Sequence, residues 1–146
     1  AAQMLDAVLA NLPGSDAFIA SAAVADYRVR QFSNRKLKKT ESEPQLDLER
    51  TVDILATVSS HPQRPARVMG FAAETERLEE YALKKLHGKK LDVIAANDVG
   101  AEGVGCECDS NAMTVFSAAG RVDIAMAPKA EVAERLLDIL RSVGPQ

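Results

Sequence analysis

The chain has 146 residues, of which 47% are hydrophobic and 27% charged, and its formal net charge at pH 7 is −3. A chain of this length can bury a sizeable core, and the composition excludes a disordered, collagen-like or low-complexity protein. The overall charge disfavours binding to nucleic acid or anionic membranes. No apolar run approaches the roughly 20 residues of a membrane span, and no signal peptide is evident. We therefore expect a cytoplasmic protein.

Cysteines and histidines are too few to predict a metal site or a disulfide framework. Cys106 and Cys108 are interpreted as reduced thiols, and neither His61 nor His87 has the spacing of a metal ligand. The sequence also has no evident Ser-His-Asp set or Cys-His pair. This disfavours hydrolases and metalloenzymes and leaves reactions driven by positioning and electrostatics, such as nucleotidyl or phosphoryl transfer.

Apolar periodicity and turn residues predict alternating strands and helices. In chain order the predicted elements are a helix at 1–12, a strand at 17–24, a polar loop at 26–43, a short strand at 45–48, a helix at 51–60, a strand at 67–72, a helix at 76–86, a strand at 91–96, a loop at 101–110, strands at 112–116 and 121–125, and a helix at 128–143. The first strand, rich in small and branched residues, is typical of one buried on both faces. The order predicts an α/β fold: a Rossmann-like parallel sheet with crossover helices, followed by a C-terminal β-hairpin and helix.

The chain begins on a predicted helix and contains neither GxGxxG nor GxxxxGK[ST]. In a doubly wound fold such a helix should follow an earlier strand and a glycine-rich turn. We therefore expect a single domain over 1–146 that lacks the N-terminal strands of its fold. A fold that simply starts with a helix is the alternative.

Polar residues follow three of the predicted strands. Asp26 follows the first, Glu74 the next, and Asn97 and Asp98 the third. Because ligands bind beyond the carboxyl ends of parallel strands, these residues are expected to converge at one edge of the sheet. Asp26 either accepts hydrogen bonds from a ribose or an exocyclic amine, or forms a turn with local backbone bonds.

Two groups of lysines and one aromatic residue also have two readings. The Lys36-Leu37-Lys38-Lys39 run is either a solvated basic loop or a mobile segment that meets charge developing in a transition state. Lys85 and Lys89 either complement the helix dipole or, as like charges four residues apart, share an anionic ligand. Gly70 permits a close approach, and Phe71 packs on a flat base or fills the core.

Five motifs occur in order along the chain: SAAVADY at 21–27, KLKK at 36–39, GFAAET at 70–75, ANDV at 96–99 and DSNA at 109–112. Together they resemble bacterial phosphopantothenoylcysteine synthetase, over most of the chain. The resemblance implies that CTP, with Mg²⁺, activates the carboxylate of 4′-phosphopantothenate as an acyl-cytidylate, and that L-cysteine then forms the amide. It implies a homodimer. It also implies fusion in some members to an FMN-dependent decarboxylase, which is not part of this chain.

The resemblance further implies that CTP contacts nine residues: Ser21, Ala22, Asp26, Lys36, Asp53, Ile54, Phe71, Lys85 and Lys89. Asp26 would contact the cytidine, and Lys36 would be catalytic, stabilising charge as the acyl-cytidylate forms. Lys85 and Lys89 would meet the triphosphate, and Asn97 would contact substrate. The last two strands and the KLKK loop would serve the dimer. No protein ligand for a metal is implied.

The chain departs from the family pattern in two places. Thr51-Val52 stands where the family usually has Asn-Pro, which affects a backbone contact with the nucleotide. The family's N-terminal part, with its phosphate cradle and catalytic asparagine, has no counterpart here, so we expect the chain alone to be inactive. The alternative hypothesis is a non-catalytic Rossmann-like module for nucleotide binding or dimerisation.

Overall fold

The computed structural model describes residues 1–36, 38, 45–98 and 108–144. Its helices are α1 (Ala2–Asn11), α2 (Ile54–Ser59), α3 (Leu78–Gly88) and α4 (Lys129–Ser142). Its strands are β1 (Ala17–Ala20), β2 (Tyr27–Val29), β3 (Leu48–Arg50), β4 (Arg67–Glu74), β5 (Val93–Asp98), β6 (Ser110–Ser117) and β7 (Gly120–Pro128).

Five strands form a mixed sheet in the order β1-β4-β5-β6-β7. β1, β4 and β5 are parallel, and α2 and α3 lie between them in the chain, as crossover helices do. β6 and β7 are antiparallel and turn at Gly120, whose φ of 112° favours glycine. The predicted Rossmann-like α/β fold with a C-terminal hairpin and helix is confirmed.

Apolar side chains form one core cluster on each face of the sheet. On one face, residues of α1, α2 and α3 pack around Val68 and Ile94. On the other, Val132, Leu136 and Leu140 of α4 pack around Met69 of β4 and residues of β5–β7. The longest helix in the described ranges, α4, has 14 residues, and none of the helices there combines the length and hydropathy of a membrane span.

Two features of the first half differ from the sequence prediction. The strand predicted at 17–24 ends at Ala20 and is not buried on both faces: β1 is an edge strand, and Ile19 is 38% exposed. The predicted loop at 26–43 begins with β2, which pairs with β3 as an antiparallel ribbon. The strand predicted at 45–48 is therefore displaced to Leu48–Arg50, where it meets β2.

Gly70, in β4, sets the distance between the sheet and α2. A Cβ at this position would lie 2.7 Å from Leu55 Cδ2 and 3.0 Å from Leu91 Cδ1. The close approach expected at Gly70 is thus made by the Leu55 side chain, which packs where a larger residue would need space. This packing brings the start of α2 close to β4, beside the cavity described next.

Candidate functional site

A cavity of about 300 Å³ lies against β1 and β4, between the start of α2 and the second half of α3. Seven of the nine residues assigned to CTP line it: Ala22, Asp26, Asp53, Ile54, Phe71, Lys85 and Lys89. These residues come from four separate stretches of the chain. The fold thus brings together residues that lie up to 67 positions apart in the sequence, from Ala22 to Lys89.

The remaining predicted site residues lie outside this lining. Ser21 precedes Ala22 but does not itself line the cavity. Lys36 is exposed, in the segment between β2 and β3, and Leu37 and Lys39 of the same run lie outside the described residues. Asn97 is a half-buried residue of β5 that pairs with Ala73 of β4.

The segment that carries Asp26 is held by Thr51. The Thr51 backbone N–H donates to the Asp26 carbonyl at 2.9 Å, and the Thr51 hydroxyl donates to the Ala25 carbonyl at 2.6 Å. Within the described ranges the Asp26 carboxylate makes no hydrogen bond, so the locally bonded turn considered for this residue is not observed. Its backbone is fixed while its side chain keeps acceptors available at the cavity.

Asp53, which also lines the cavity, has two roles. As the N-cap of α2 it accepts a 3.0 Å hydrogen bond from the Ala56 backbone N–H, and its Oδ2 lies 2.8 Å from Lys89 Nζ. Partial burial acts to raise the pKa of Asp53, but the Ala56 N–H and the Lys89 ammonium outweigh it and hold the pKa below its usual value. The carboxylate therefore stays ionised and fixes both the helix start and the lysine.

Lys85 and Lys89 each form an ion pair with a carboxylate, which compensates their like charges. Lys89 pairs with Asp53, and Lys85 Nζ lies 2.7 Å from Glu74 Oε1. Glu74 is the last residue of β4, and α3 begins at Leu78. Sequence reasoning missed this contact because eleven residues separate the partners and no local pattern links them.

Phe71 and several apolar residues give the cavity its non-polar surface. Phe71 is half-buried; it packs against the core cluster under α4 and also lines the cavity. The other apolar lining side chains include Met4, Phe18, Val24, Val52 and Leu55. None of them was assigned to the nucleotide from the sequence, because an apolar side chain is by default a core residue.

The ionisable groups of the lining sum to zero charge, with two lysines against Asp26 and Asp53, and Glu74 adds one negative charge behind Lys85. Apolar side chains beside hydrogen-bond acceptors suit a flat heterocycle, and the two ammonium groups suit phosphates. Among the described residues, no three His, Cys, Asp or Glu side chains are grouped to hold a metal ion. Cys108 is a free thiol, and Cys106 lies outside the described residues.

Comparison with known proteins gives the same family from sequence as the motifs do. The sequence profile described as the DNA/pantothenate metabolism flavoprotein C-terminal domain matches residues 1–143. The chain is 40% identical over 147 residues to the coenzyme A biosynthesis bifunctional protein CoaBC of Bacillus subtilis, covering 100% of this chain and 36% of that protein. It is 39% identical over 145 residues to the protein of the same name from Vibrio parahaemolyticus, covering 98% of this chain and 36% of that protein. The chain thus spans about a third of the length of these relatives.

Solved structures support the fold. The crystal structure of the C-terminal domain of a coenzyme A biosynthesis bifunctional protein CoaBC matches with a TM-score of 0.73 at 35% identity, covering 94% of this chain and 59% of that chain. The DNA/pantothenate metabolism flavoprotein from Streptococcus pneumoniae matches with a TM-score of 0.69 at 21% identity, which bears on the fold alone, and covers 97% of this chain and 67% of that chain.

Proposed function

Because the chain belongs to the family of DNA/pantothenate metabolism flavoprotein C-terminal domains, we propose that it acts in coenzyme A biosynthesis. The proposed activity is the CTP-dependent ligation of 4′-phosphopantothenate to L-cysteine through an acyl-cytidylate. As the chain spans 36% of the relatives' length, substrates and partners of the whole protein belong to this proposal.

The observation that carries the proposal is the convergence of seven predicted nucleotide contacts on one cavity. A base fits against Phe71 and the small side chains after β1, where the Asp26 carboxylate offers acceptors to an exocyclic amine. The phosphates fit near Lys85 and Lys89, whose charges complement them. Base recognition by Asp26 favours cytosine over uracil, because an acceptor pairs with the 4-amino group and repels a carbonyl oxygen.

The proposed reaction has two steps. In the first, a carboxylate oxygen of 4′-phosphopantothenate attacks the α-phosphorus of CTP; a new P–O bond forms, and the bond to pyrophosphate breaks. In the second, the cysteine amine attacks the acyl carbon, the bond to CMP breaks, and the amine loses a proton as the amide forms. Mg²⁺ enters with CTP as part of the substrate and neutralises phosphate charge.

Within this scheme, Lys85 and Lys89 bind the phosphates of CTP, and Lys36 supplies an ammonium to the charge that develops at the reacting phosphate. Lys36 is exposed and makes no ion pair with another described residue, so its charge is available to a ligand. In this proposal the Lys36 ammonium meets the reacting phosphate while CTP is bound, as expected of a group that acts in the transition state.

We also propose that the protein is a homodimer. Exposed apolar side chains support this: Tyr27, Val29 and Leu48 on the β2–β3 ribbon are 54%, 41% and 51% exposed. Val122 and Met126 of the edge strand β7 are also exposed. Sedimentation velocity across a range of protein concentrations tests the assembly, and a monomer at all concentrations contradicts it.

The test of the activity is pyrophosphate release from CTP in the presence of 4′-phosphopantothenate, measured on the natural protein that contains this chain. CTP should support release and, once L-cysteine is added, amide formation, whereas UTP should support neither. Thermal stabilisation by CTP without any pyrophosphate release would favour the alternative, a non-catalytic nucleotide-binding module. Equal stabilisation by all four nucleotides would contradict base recognition by Asp26.

A further inference from the structure

Among the described residues, Glu74 is joined to the lining of the cavity by its ion pair with Lys85. Its Oε1 lies 2.7 Å from Lys85 Nζ, and the side chains are 15% and 42% exposed. Within the described residues, Lys85 is the sole partner of the Glu74 carboxylate. The lysine lines the cavity, whereas the glutamate does not. The pair therefore connects a ligand-facing ammonium to a partly buried anion behind it.

We propose that Glu74 is a positioning residue that holds the Lys85 ammonium while the cavity is empty and yields it to the phosphates of the nucleotide. The proposal rests on the proposed function, in which Lys85 binds the triphosphate. In this role Glu74 competes with phosphate for the Lys85 ammonium. That competition sets the affinity for CTP and the rate at which pyrophosphate leaves.

The two partners lie on rigid elements, so the pair is preorganised. Glu74 ends β4, where its backbone is in register with Asp98 of β5, and Lys85 is in the last turn of α3. Because the pair is partly buried, solvent and salt screen it less than a surface pair. The ammonium is thus held at the cavity with little freedom to rotate away.

The same placement makes Glu74 a competitor of phosphate. A triphosphate that reaches Lys85 brings several negative charges close to the Glu74 carboxylate, and like charges a few ångströms apart repel strongly where water is partly excluded. A groove of about 530 Å³ outside α3 is lined by Glu74, Lys84, Lys85 and Lys89, and it gives the displaced carboxylate or the terminal phosphate room to move.

The second pair, Asp53 and Lys89, is not equivalent. Asp53 also accepts the Ala56 N–H as the cap of α2, so moving its carboxylate would cost the helix its cap as well as the ion pair. Glu74 has no second hydrogen bond among the described residues to lose. It is therefore the carboxylate that can exchange with phosphate at lower cost.

The experiment measures the dissociation constants of CTP, inorganic triphosphate and pyrophosphate by calorimetry on the natural protein that contains this chain. Glu74→Gln should tighten all three by roughly tenfold, because it removes the competing charge and keeps the side chain's size. Pyrophosphate should also become a stronger product inhibitor by a similar factor. Glu79→Gln is the matched control. It also removes one carboxylate charge, but from α3, where Glu79 pairs with Arg121 at 3.1 Å, and it should leave all three dissociation constants unchanged.

A double-mutant cycle tests whether Glu74 acts through Lys85. Lys85→Met should weaken triphosphate binding. Adding Glu74→Gln to it should tighten binding by clearly less than in the parent, because the competition for the ammonium is gone and only the direct repulsion of the phosphates remains. If Glu74→Gln leaves affinity unchanged or weakens it while Lys85→Met weakens it, or if the two effects add, the role of Glu74 is overturned and the proposed function stands. If Lys85→Met has no effect on CTP, the placement of Lys85 in the proposed function fails. If Glu74→Gln does not fold, Glu74→Asp tests the role instead. Its shorter side chain should tighten pyrophosphate binding by a smaller factor, and an unchanged affinity for pyrophosphate would overturn the role.

Discussion

Arg64 and Asp92 form the most buried ion pair of the described structure. Asp92, just before β5, is fully buried, and its Oδ2 accepts hydrogen bonds of 2.6 Å from both Arg64 Nη2 and the Val68 backbone N–H. Arg64 also donates to the Lys90 carbonyl at 3.2 Å. One carboxylate therefore ties the turn after α2 to the first residues of the central strands β4 and β5.

Replacing Arg64 should be strongly destabilising. Arg64→Met leaves the Asp92 carboxylate buried without its counter-charge, and removing one partner of a buried pair typically costs about 3–5 kcal/mol. Urea unfolding measures the loss in the free energy of unfolding. The control is Arg141→Met, which breaks an exposed pair with Asp138 at 3.5 Å and should cost less than about 1 kcal/mol. A loss for Arg64→Met as small as the control's would mean that Asp92 is compensated by other means.

The Asp53–Lys89 pair should make stability depend on pH in acid. The pKa of Asp53 is lowered on folding from its ordinary value of 3.8, so its contribution is fully present above that value and is lost as the pH falls through the folded pKa. Asp53→Asn keeps a side chain that caps helices but removes the charge. The variant should be less stable than the parent at pH 7, by no more than about 1 kcal/mol because the pair is half-exposed. The difference should shrink below pH 4; a difference that is constant from pH 7 to pH 2.5 would contradict the assignment.

Gly70→Ala should disturb the start of α2. The new Cβ would meet Leu55 Cδ2 at 2.7 Å, and overpacking of this kind typically costs about 1–3 kcal/mol, with the low end expected if Leu55 turns away. Because α2 carries Asp53, the KM for CTP should rise as well. In a Leu55→Ala background the same change should cost much less, since the contact is gone. Gly144→Ala is the control, as a Cβ there meets nothing within 4 Å and the residue lines neither the cavity nor the groove that contains Glu74 and Lys85.

The sequence predicts those strands and helices well whose local residue pattern reflects their place in the sheet. Periodicity and turn residues predict β4–β7 and α4 to within a few residues, and the family assignment from five motifs is confirmed by the profile match. The burial of β1 was predicted wrongly because a run of small apolar residues does not reveal whether a strand is central or at an edge. The β2–β3 ribbon was missed because its short strands are held by contacts across the ribbon, such as Arg28 Nη2 with Glu49 Oε1 at 2.6 Å.

The candidate site, like the fold, could be predicted from the sequence only in part. Asp26 and Phe71, which lie in motifs, and Lys85 could be named as site residues from the sequence, and the fold brings them to one cavity. The contacts of Thr51 with the segment of Asp26, and of Glu74 with Lys85, could not be predicted, because they are set by the packing of separate elements. The sequence therefore indicates the residues that face the cavity but not the contacts that hold them there.

Asp26→Asn tests base recognition. The substitution keeps the size of the side chain and the backbone bonds to Thr51, so the free energy of unfolding should change by less than about 0.5 kcal/mol. The dissociation constant of CTP should rise by about tenfold or more, because a charged acceptor facing the exocyclic amine is replaced by a neutral group. Asp138→Asn, on the exposed face of α4, is the control for loss of one surface charge. Unchanged affinity for CTP with normal turnover would remove Asp26 from the site.

Lys36→Gln separates binding from catalysis. Lys36 is exposed and has no ion pair among the described residues, so its replacement should leave the free energy of unfolding unchanged. If its ammonium meets charge only in the transition state, turnover should fall while the dissociation constant of CTP stays nearly constant. The loss of one such donor typically costs about 2.7–4 kcal/mol, or roughly a hundred- to thousand-fold in rate. Single-turnover measurement of acyl-cytidylate formation gives this rate directly, with Lys90→Gln, an exposed lysine outside the cavity lining, as the control. A decrease of less than about threefold would identify Lys36 as a solvated residue with no part in the chemical step.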